Sequence, residues 1–200
     1  MASFTVSTIP SQMNWINQPV GWNVEENKLS VEAGQNTDWF IDPAGTTSNH
    51  NAPVAVFIPP ENTFLLKAKV TVEFASTFDA GVLFLYGKAD HWAKLCFEYS
   101  PQRQPMVVSV VTRGISDDCN TTPIQGSSVY LRIYRQENVF AFHYSLDNRY
   151  WHFARYFTLG KLEQIRVGFS AQSPMGEKCK AVFSEIEYRP VKLSDLRNGE

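Results

Sequence analysis

The stretch His91-Trp92-Ala93-Lys94-Leu95-Cys96-Phe97-Glu98-Tyr99 alternates between two kinds of side chain. Successive side chains of a β-strand point to opposite faces of a sheet, so the stretch predicts a strand with two different faces. One face carries Trp92, Lys94, Cys96 and Glu98, and the other carries Ala93, Leu95, Phe97 and Tyr99. The second set is typical of a β-sandwich core. The first set combines an aromatic ring, a cation and a carboxylate, and it is the candidate ligand-binding face.

The same two-residue period runs through nearly the whole chain. Turn residues such as Pro43-Ala44-Gly45 and Pro59-Pro60-Glu61-Asn62 interrupt it about every 8 to 12 residues. No stretch has a clear helical stripe, apart from short candidate turns at 158–164 and 193–197. More than ten strands without helices predict an all-β fold of two packed antiparallel sheets. The predicted strands are Trp22–Val24, Lys28–Glu32, Asp38–Ile41, Val54–Ile58, Phe64–Phe74, Ala80–Tyr86, Trp92–Tyr99, Met106–Thr112, Val129–Gln136, Val139–Ser145, Trp151–Thr158, Gln164–Ala171 and Ala181–Tyr188.

Composition narrows the class of protein. The chain has 200 residues, of which 44% are apolar and 14% aromatic, enough to fill one large core. We therefore expect a single domain over residues 1–200. The net charge of −2 is spread along the chain, which argues against nucleic-acid partners and against a polybasic membrane surface. No glycine-rich phosphate loop is present, and the sequence predicts no cofactor.

Cysteine usage and the first residues bear on the compartment. The three cysteines, Cys96, Cys119 and Cys179, are odd in number and have no CxxC spacing. Reduced thiols in a cytoplasmic protein fit this pattern better than a disulfide framework does. The first eight residues lack a basic region and an apolar region, so no signal peptide is visible. We expect a cytoplasmic protein.

Several motifs together resemble one known family. They are Thr37-Asp38-Trp39-Phe40, Ala80-Gly81-Val82-Leu83-Phe84, Trp92-x-Lys94 with Glu98, Val110-Val111-Thr112 with Ser116-Asp117, Tyr144-Ser145-x-Asp147-x-x-x-Trp151-x-x-x-Arg155, and Val167-Gly168-Phe169-x-Ala171-Gln172-Ser173-Pro174. Over about residues 12–190, the chain resembles a family of concanavalin A-like domains of unknown function that includes the fungal regulation of enolase protein. One departure is that Asp118 and Cys119 follow the Ser-Asp pair, where members of the family usually carry an aromatic residue.

The resemblance implies a fold more than an activity. It implies a concanavalin A-like jelly-roll β-sandwich with one convex and one concave sheet, and it places the candidate face on the concave sheet. It also makes enolase a candidate partner. Glucanases and lectins share this general shape, but a fold does not choose between functions.

Glu98 and Asp117 are the first candidate catalytic residues. Retaining glycosidases need two carboxylates about 5–5.5 Å apart. The strand that carries Glu98 has no second carboxylate, and Asp117 is predicted to lie in a loop. The alternative is that Glu98 forms a structural ion pair with Lys94 or Arg155.

Aromatic and polar side chains complete the candidate ligand site. Trp39 and Trp92 are candidate sugar-stacking platforms, with core packing as the alternative. Arg155, predicted to share a face with Trp151, Phe153 and Phe157, is either a ligand donor or a partner of the carboxylates. Gln172 alternates with core residues and adds a hydrogen-bonding group. The predicted ligand-binding set is Trp39, Trp92, Lys94, Glu98, Asp117, Arg155 and Gln172.

Metal and thiol chemistry have weak support. The four histidines are scattered, without HxH or HExxH spacing, so we predict no transition-metal site. The run Asp117-Asp118-Cys119-Asn120 is rich in oxygen ligands that Ca²⁺ accepts, but a solvated turn or Asx-turn explains it better. No cysteine has a sequence neighbour that would activate it.

Three hypotheses about function follow. The first, which the single carboxylate on the Glu98 strand favours, is a non-catalytic binding or regulatory domain for a carbohydrate-like or anionic ligand, such as a sugar phosphate, or for a partner protein. The second is a carbohydrate-active enzyme of glycoside hydrolase type, with Glu98 and Asp117 as its catalytic residues. The third is a structural interaction domain whose cleft is filled by its own side chains.

Overall fold

Two antiparallel sheets make up most of the computed structural model, which describes residues 3–200. The strands are β1 (Ser3–Phe4), β2 (Met13–Trp15), β3 (Gly21–Glu25), β4 (Lys28–Gly34), β5 (Trp39–Ile41), β6 (Ser48–His50), β7 (Val54–Phe57), β8 (Thr63–Glu73), β9 (Ala80–Lys88), β10 (His91–Tyr99), β11 (Pro105–Arg113), β12 (Ile115–Pro123), β13 (Ser128–Gln136), β14 (Val139–Ser145), β15 (His152–Phe157), β16 (Arg166–Gln172) and β17 (Lys178–Arg189). Over residues 3–200 there is no helix, and the predicted all-β fold of two antiparallel sheets is confirmed.

The strand order defines an eight-stranded and a seven-stranded sheet. The eight-stranded sheet runs β1-β2-β7-β16-β9-β10-β11-β12, and the seven-stranded sheet runs β15-β14-β13-β8-β17-β4-β3. Strands β5 and β6 form a separate hairpin. Each predicted strand occurs, with bounds that differ by a few residues, whereas the prediction missed β1, β2, β6 and β12. No helix within residues 3–200 is long and apolar enough to cross a membrane.

The main core lies between the two sheets. Ala93, Leu95 and Phe97 of β10 face it, as the alternation of that strand predicts. From the other sheet, β8 contributes every second residue from Phe64 to Val72. Burial of these two apolar faces is the main driving force for joining the sheets.

A second apolar layer covers the outer face of the eight-stranded sheet, which is the face turned away from the seven-stranded sheet. Trp92 of β10 and Phe84 of β9 are buried there beneath Trp39 of the β5–β6 hairpin. The Trp39 indole Nε1 donates to the carbonyl of Ala52 over 2.9 Å. The backbone N–H of Ile41 donates to Ser116 Oγ over 2.9 Å. The hairpin is therefore fixed on this face by an aromatic cluster and by hydrogen bonds.

The C-terminal segment covers the outer face of the seven-stranded sheet. Leu193 and Leu196 pack against a small cluster that includes Tyr134, and the backbone N–H of Leu193 donates to the Tyr134 hydroxyl over 3.2 Å. His143 is buried beneath the segment, with Nε2 2.8 Å from the carbonyl oxygen of Leu196. Burial, together with the nearby Arg132 charge, lowers the pKa of His143 to about 4.

A β-bulge changes the faces of β15. The register shifts between Phe142 and His143, so that Arg155 lies opposite Phe142 while Phe153 lies opposite His143. Arg155 and Phe157 consequently face the inside of the sandwich, and Phe153 faces outward against Arg197. The prediction that Trp151, Phe153, Arg155 and Phe157 share one face is wrong, because a bulge shifts the side-chain alternation by one residue.

We expect Gly168→Ala to destabilise the fold. A Cβ at this position would overlap the carbonyl oxygen of Ala55 in β7, and a backbone group cannot move away without breaking the β7–β16 pairing. We expect the free energy of unfolding, measured by urea denaturation, to fall by about 3 kcal/mol. Gly21→Ala is the control, because the nearest atom to its Cβ is 4.0 Å away. Equal losses in the two variants would show that the close approach of β7 to Gly168 is not what destabilises the protein.

Candidate functional site

A pocket of about 170 Å³ opens on the outer face of the eight-stranded sheet, beside the β5–β6 hairpin. Strands β10, β11, β12 and β16 supply part of its wall, and the hairpin and the loop before β9 supply the rest. The lining residues are Asp38, Phe40, Phe78, Lys94, Glu98, Val108, Val110, Asp118 and Gln172. Three predicted site residues, Lys94, Glu98 and Gln172, therefore meet in one pocket.

The Lys94 ammonium group is buried at the base of this pocket, with 3% of the residue exposed. Its Nζ lies 3.0 Å from Asp38 Oδ1 and 2.9 Å from Gln172 Oε1. Burial opposes the charge of the ammonium group, but the carboxylates of Asp38 and Glu98 outweigh it and raise the pKa of Lys94. Lys94 thus remains charged and joins the hairpin to β16.

A network around Asp79 holds the loop that closes one side of the pocket. Asp79 is fully buried, and its carboxylate accepts hydrogen bonds from the backbone N–H groups of Ala75 and Ser76 and from Ser173 Oγ. Gln172 Nε2 donates to the carbonyl oxygen of Phe78 over 3.1 Å. The backbone conformation of this loop is therefore set from several sides.

Phe78 adopts a left-handed backbone conformation, with φ of 68°. A bulky residue in this region is uncommon and is strained. The ring of Phe78 nevertheless lines the pocket and remains 36% exposed. Strain of this kind persists where the surrounding structure fixes the backbone, and it is concentrated at functional sites. The Asp79 network is what fixes it here.

Glu98 is the one buried carboxyl of the pocket, with 9% of the residue exposed. Within residues 3–200 it has no hydrogen-bond or ion-pair partner, and Lys94 is turned toward Asp38 and Gln172 instead. Burial raises the pKa of Glu98 to about 8, and the charges of Asp38 and Asp118 add to the shift, while Lys94 opposes it. At neutral pH Glu98 is therefore mainly a protonated carboxyl group that faces an open cavity.

The structure separates Asp117 from the pocket and puts Asp118 there. Residues 115–123 form β12, a strand where the sequence predicted a loop, and Asp118 lies opposite Val110 of the pocket wall. Asp117 points to the other side of the sheet, where its Oδ1 lies 2.9 Å from Arg155 Nη2. A shift of one residue along a strand exchanges the two faces of the sheet.

Arg155 also lies away from the pocket. Its guanidinium group reaches from the seven-stranded sheet to the carbonyl oxygen of Asp117 over 3.1 Å, and it contacts Ser109 over 3.4 Å. Arg155 thus connects the edges of the two sheets. Lys94, Glu98 and Arg155 do not form an ion-paired cleft, which would have favoured the structural hypothesis.

The two tryptophans of the predicted site are buried beneath the pocket. Trp39 is 3% exposed and Trp92 is fully buried, so neither ring has an open face for a sugar to stack on. Their rings contact each other edge to face, with centroids 5.7 Å apart. The core-packing alternative describes both residues.

Six residues that line the pocket were not in the predicted ligand-binding set: Asp38, Phe40, Phe78, Val108, Val110 and Asp118. Asp38 and Phe40 belong to the motif Thr37-Asp38-Trp39-Phe40, of which only Trp39 was predicted to be a site residue. Asp118 would have followed from extending the β-alternation past Gly114 into β12. Phe78 has no sequence signal, because the backbone conformation of a loop places it.

Within residues 3–200, no group of three or more His, Cys, Asp or Glu side chains is arranged to hold a metal ion. The run Asp117-Asp118-Cys119-Asn120 lies in the extended strand β12. Neighbouring side chains there point to opposite faces, so they cannot surround one Ca²⁺ ion, and the predicted alternative of a turn does not form either.

Comparison with known proteins places the chain in a family. The profile of a family described as "protein of unknown function (DUF1349)" matches residues 15–191. The chain belongs to the DUF1349 family. Regulation of enolase protein 1 from Saccharomyces cerevisiae is 26% identical over 180 residues, which cover 88% of each chain.

Solved structures agree with the fold of this DUF1349 protein. A functionally unknown protein from Saccharomyces cerevisiae has a TM-score of 0.83 at 21% identity, covering 90% of this chain and 97% of that one. The GH43 protein BlXynB from Bacillus licheniformis has a TM-score of 0.71 at 15% identity, but only 37% of its chain is covered. An alginate lyase from Klebsiella pneumoniae has a TM-score of 0.56 at 11% identity, with coverage of 85% and 84%. These likenesses show a shared β-sandwich fold.

We expect Glu98→Gln to change how stability depends on pH. The pKa of Glu98 is about 8 in the folded protein and 4.5 as the ordinary value, so between these two pH values the folded state binds more protons than the unfolded state. As the pH rises through this range, the free energy of unfolding of the wild type should therefore fall, relative to that of the variant, by up to about 1.4 kcal/mol per pH unit.

Urea denaturation at several pH values from 5 to 8 measures this difference. Subtracting the variant from the wild type cancels the contribution of His143, which both proteins share. The exposed residue Glu177 supplies the control variant Glu177→Gln, which should keep the wild-type slope. A slope that Glu98→Gln leaves unchanged would show that the carboxyl group is not desolvated.

We expect two substitutions at Phe78 to differ in stability. Phe78→Ala and Phe78→Gly both remove the ring, but only glycine is unstrained at a φ of 68°. The glycine variant should be more stable than the alanine variant by about 1 kcal/mol in urea denaturation. If alanine is as stable as glycine, the backbone at this position is not held in the left-handed region.

Proposed function

We propose that the protein is a non-catalytic binding domain whose pocket takes one hydroxylated ring, such as a single sugar unit. The observation that carries this proposal is the Glu98 carboxyl group, which is buried, unpartnered within residues 3–200 and directed at an open cavity. The carboxyl group lines the open cavity, so its hydrogen-bonding capacity is left to whatever enters the pocket. A ligand hydroxyl can both donate to and accept from a protonated carboxyl group.

The size of the pocket supports a ligand of one ring. Its volume is about 170 Å³, and a cavity of about 150 Å³ holds one benzene molecule. Pockets for drug-sized ligands are larger, at about 300–1,000 Å³. A disaccharide would therefore extend beyond the pocket, with only one ring inside.

The walls have the chemistry that a sugar unit needs. Phe40 and Phe78 offer apolar ring surfaces, and Val108 and Val110 offer an aliphatic floor. Sugar hydroxyls both donate and accept hydrogen bonds, so they match a site in which protonated Glu98 can do both. A phosphate or carboxylate ligand fits poorly, since the pocket holds three acidic side chains and one lysine.

We further propose a regulatory role in the cytoplasm, with enolase as the first partner to test. Support comes from the name of the relative from Saccharomyces cerevisiae, Regulation of enolase protein 1. The decisive measurement is direct binding of the purified protein to purified enolase, with and without a pocket ligand. No association in either condition would remove enolase as a partner and leave the pocket proposal intact.

A glycoside hydrolase activity is the second candidate. The observation in its favour is that two carboxyl groups, those of Glu98 and Asp118, line the same pocket. The raised pKa of Glu98, about 8, suits a general acid. Release of nitrophenol from nitrophenyl glycosides tests it. Turnover that is lost in both Glu98→Gln and Asp118→Asn would support catalysis, and no turnover by the wild type would oppose it.

The binding proposal is tested by titrating the isotope-labelled protein with glucose, xylose and inositol while recording NMR spectra. We expect shifts confined to the pocket and saturation at millimolar ligand. Phe78→Ala should weaken binding about tenfold, which corresponds to about 1.4 kcal/mol. Phe153→Ala is the matched control, because Phe153 is a similarly exposed ring on the other sheet. No pocket shifts with any of the three compounds would refute the proposal.

A further inference from the structure

We infer that the ligand carries a protonated amine, so that the pocket selects an amino-substituted hydroxylated ring over neutral and anionic rings. This inference rests on the proposed function, since it names the class of ligand for the same pocket. It follows from the placement of charges around Glu98.

The pocket has three acidic side chains and only one basic one. Lys94 and Asp38 form a close pair at 3.0 Å, which leaves the Glu98 and Asp118 carboxyl groups. Neither of these two carboxyl groups has an ion-pair partner within residues 3–200, although Asp117, the neighbour of Asp118, is paired with Arg155. The pocket therefore has two acidic groups to which only a ligand can bring a positive charge.

Lys94 is held where it cannot serve as that positive charge. Asp38 and Gln172 each take one hydrogen bond from its ammonium group, at 3.0 and 2.9 Å. Its Nζ is therefore directed away from Glu98, four residues along the same strand, and no ion pair joins the two side chains. This arrangement leaves a gap in front of Glu98 instead of a closed salt bridge.

The aromatic residues of the pocket add a second preference for a cation. Phe40 and Phe78 line the same cavity, and the face of an aromatic ring attracts an ammonium group within about 6 Å of its centre. Carboxylates combined with aromatic rings are a common way to recognise amines. A neutral sugar uses the rings only for apolar contact.

Proton balance links binding to pH. The groups that face Glu98 are Lys94 and Cys96 on its own strand, Asp38 before β5 and Asp118 on β12. When an ammonium ligand arrives, the Glu98 carboxyl group releases its proton to solvent and the carboxylate pairs with the ammonium group. No other bond forms or breaks, and the net charge of the pocket stays the same.

Four probes that differ in one substituent test the inference: glucose, glucosamine, N-acetylglucosamine and glucuronate. Dissociation constants come from NMR titration near pH 6.5, where the glucosamine amine is protonated. We expect glucosamine to bind several-fold more tightly than glucose and N-acetylglucosamine, because the charge-assisted hydrogen bonds to Glu98 and Asp118 outweigh the cost of releasing the Glu98 proton at this pH. Glucuronate should bind weakest of the four.

Variants assign the preference to the pocket. Glu98→Gln keeps the shape of the side chain and should remove most of the preference for glucosamine over glucose. Asp118→Asn should reduce it partly, whereas Asp117→Asn, one residue along the same strand but on the other face, should leave it unchanged. Since Asp118 is exposed, its variant gives a result even if Glu98→Gln alters stability.

The outcomes separate the inference from the proposed function. Equal binding of glucosamine and glucose in the pocket would overturn the amine inference and leave the sugar-binding function standing. A preference for glucosamine that survives both pocket variants would also overturn it. Absence of pocket binding by all four probes, to protein that is folded by NMR, would overturn both proposals.

Discussion

The buried ammonium group of Lys94 is the interaction on which the outer face depends. A buried charge is tolerated only when it is paired and hydrogen-bonded, and removing one partner of such a pair costs about 3–5 kcal/mol. Asp38 comes from the segment before the hairpin and Gln172 from β16, so the two groups that satisfy Lys94 belong to different parts of the fold. The charge of one side chain thereby fixes the position of the hairpin over the sheet, and with it one wall of the pocket.

Asp38 and Glu98 both lie near the Lys94 ammonium group, but only Asp38 forms an ion pair with it. Asp38 takes the charge of Lys94, while Glu98 is left desolvated with a pKa raised to about 8. An apolar surrounding and unneutralised neighbours are the usual means by which proteins hold a carboxyl group ready for a ligand or for proton transfer. The strained backbone of Phe78 is a second sign that this pocket is the functional site. Packing alone does not require a bulky residue with a positive φ beside an open cavity.

Sequence alternation was enough to predict the sandwich and to put Glu98 on the outer face, because β10 has strongly apolar residues on one side. Alternation gave wrong predictions where the two faces of a strand do not differ clearly in polarity. Strand β12 is polar on both faces, so nothing distinguished Asp118 from Asp117 until the pairing with β11 was known. The bulge that turns Phe153 outward and the loop that carries Phe78 depend on contacts between distant segments, which a local period does not contain.

The hydrogen bonds that join Lys94 to Asp38 and Gln172 have a consequence for how the sequence can change. Loss of the lysine alone strands a carboxylate next to an apolar cluster, and loss of the aspartate alone strands a buried ammonium group. Sequence drift at these positions therefore has to pass through costly single substitutions or proceed by joint replacement. We therefore expect the three positions to change together, whereas Asp118 at the exposed rim of the pocket has no such partner.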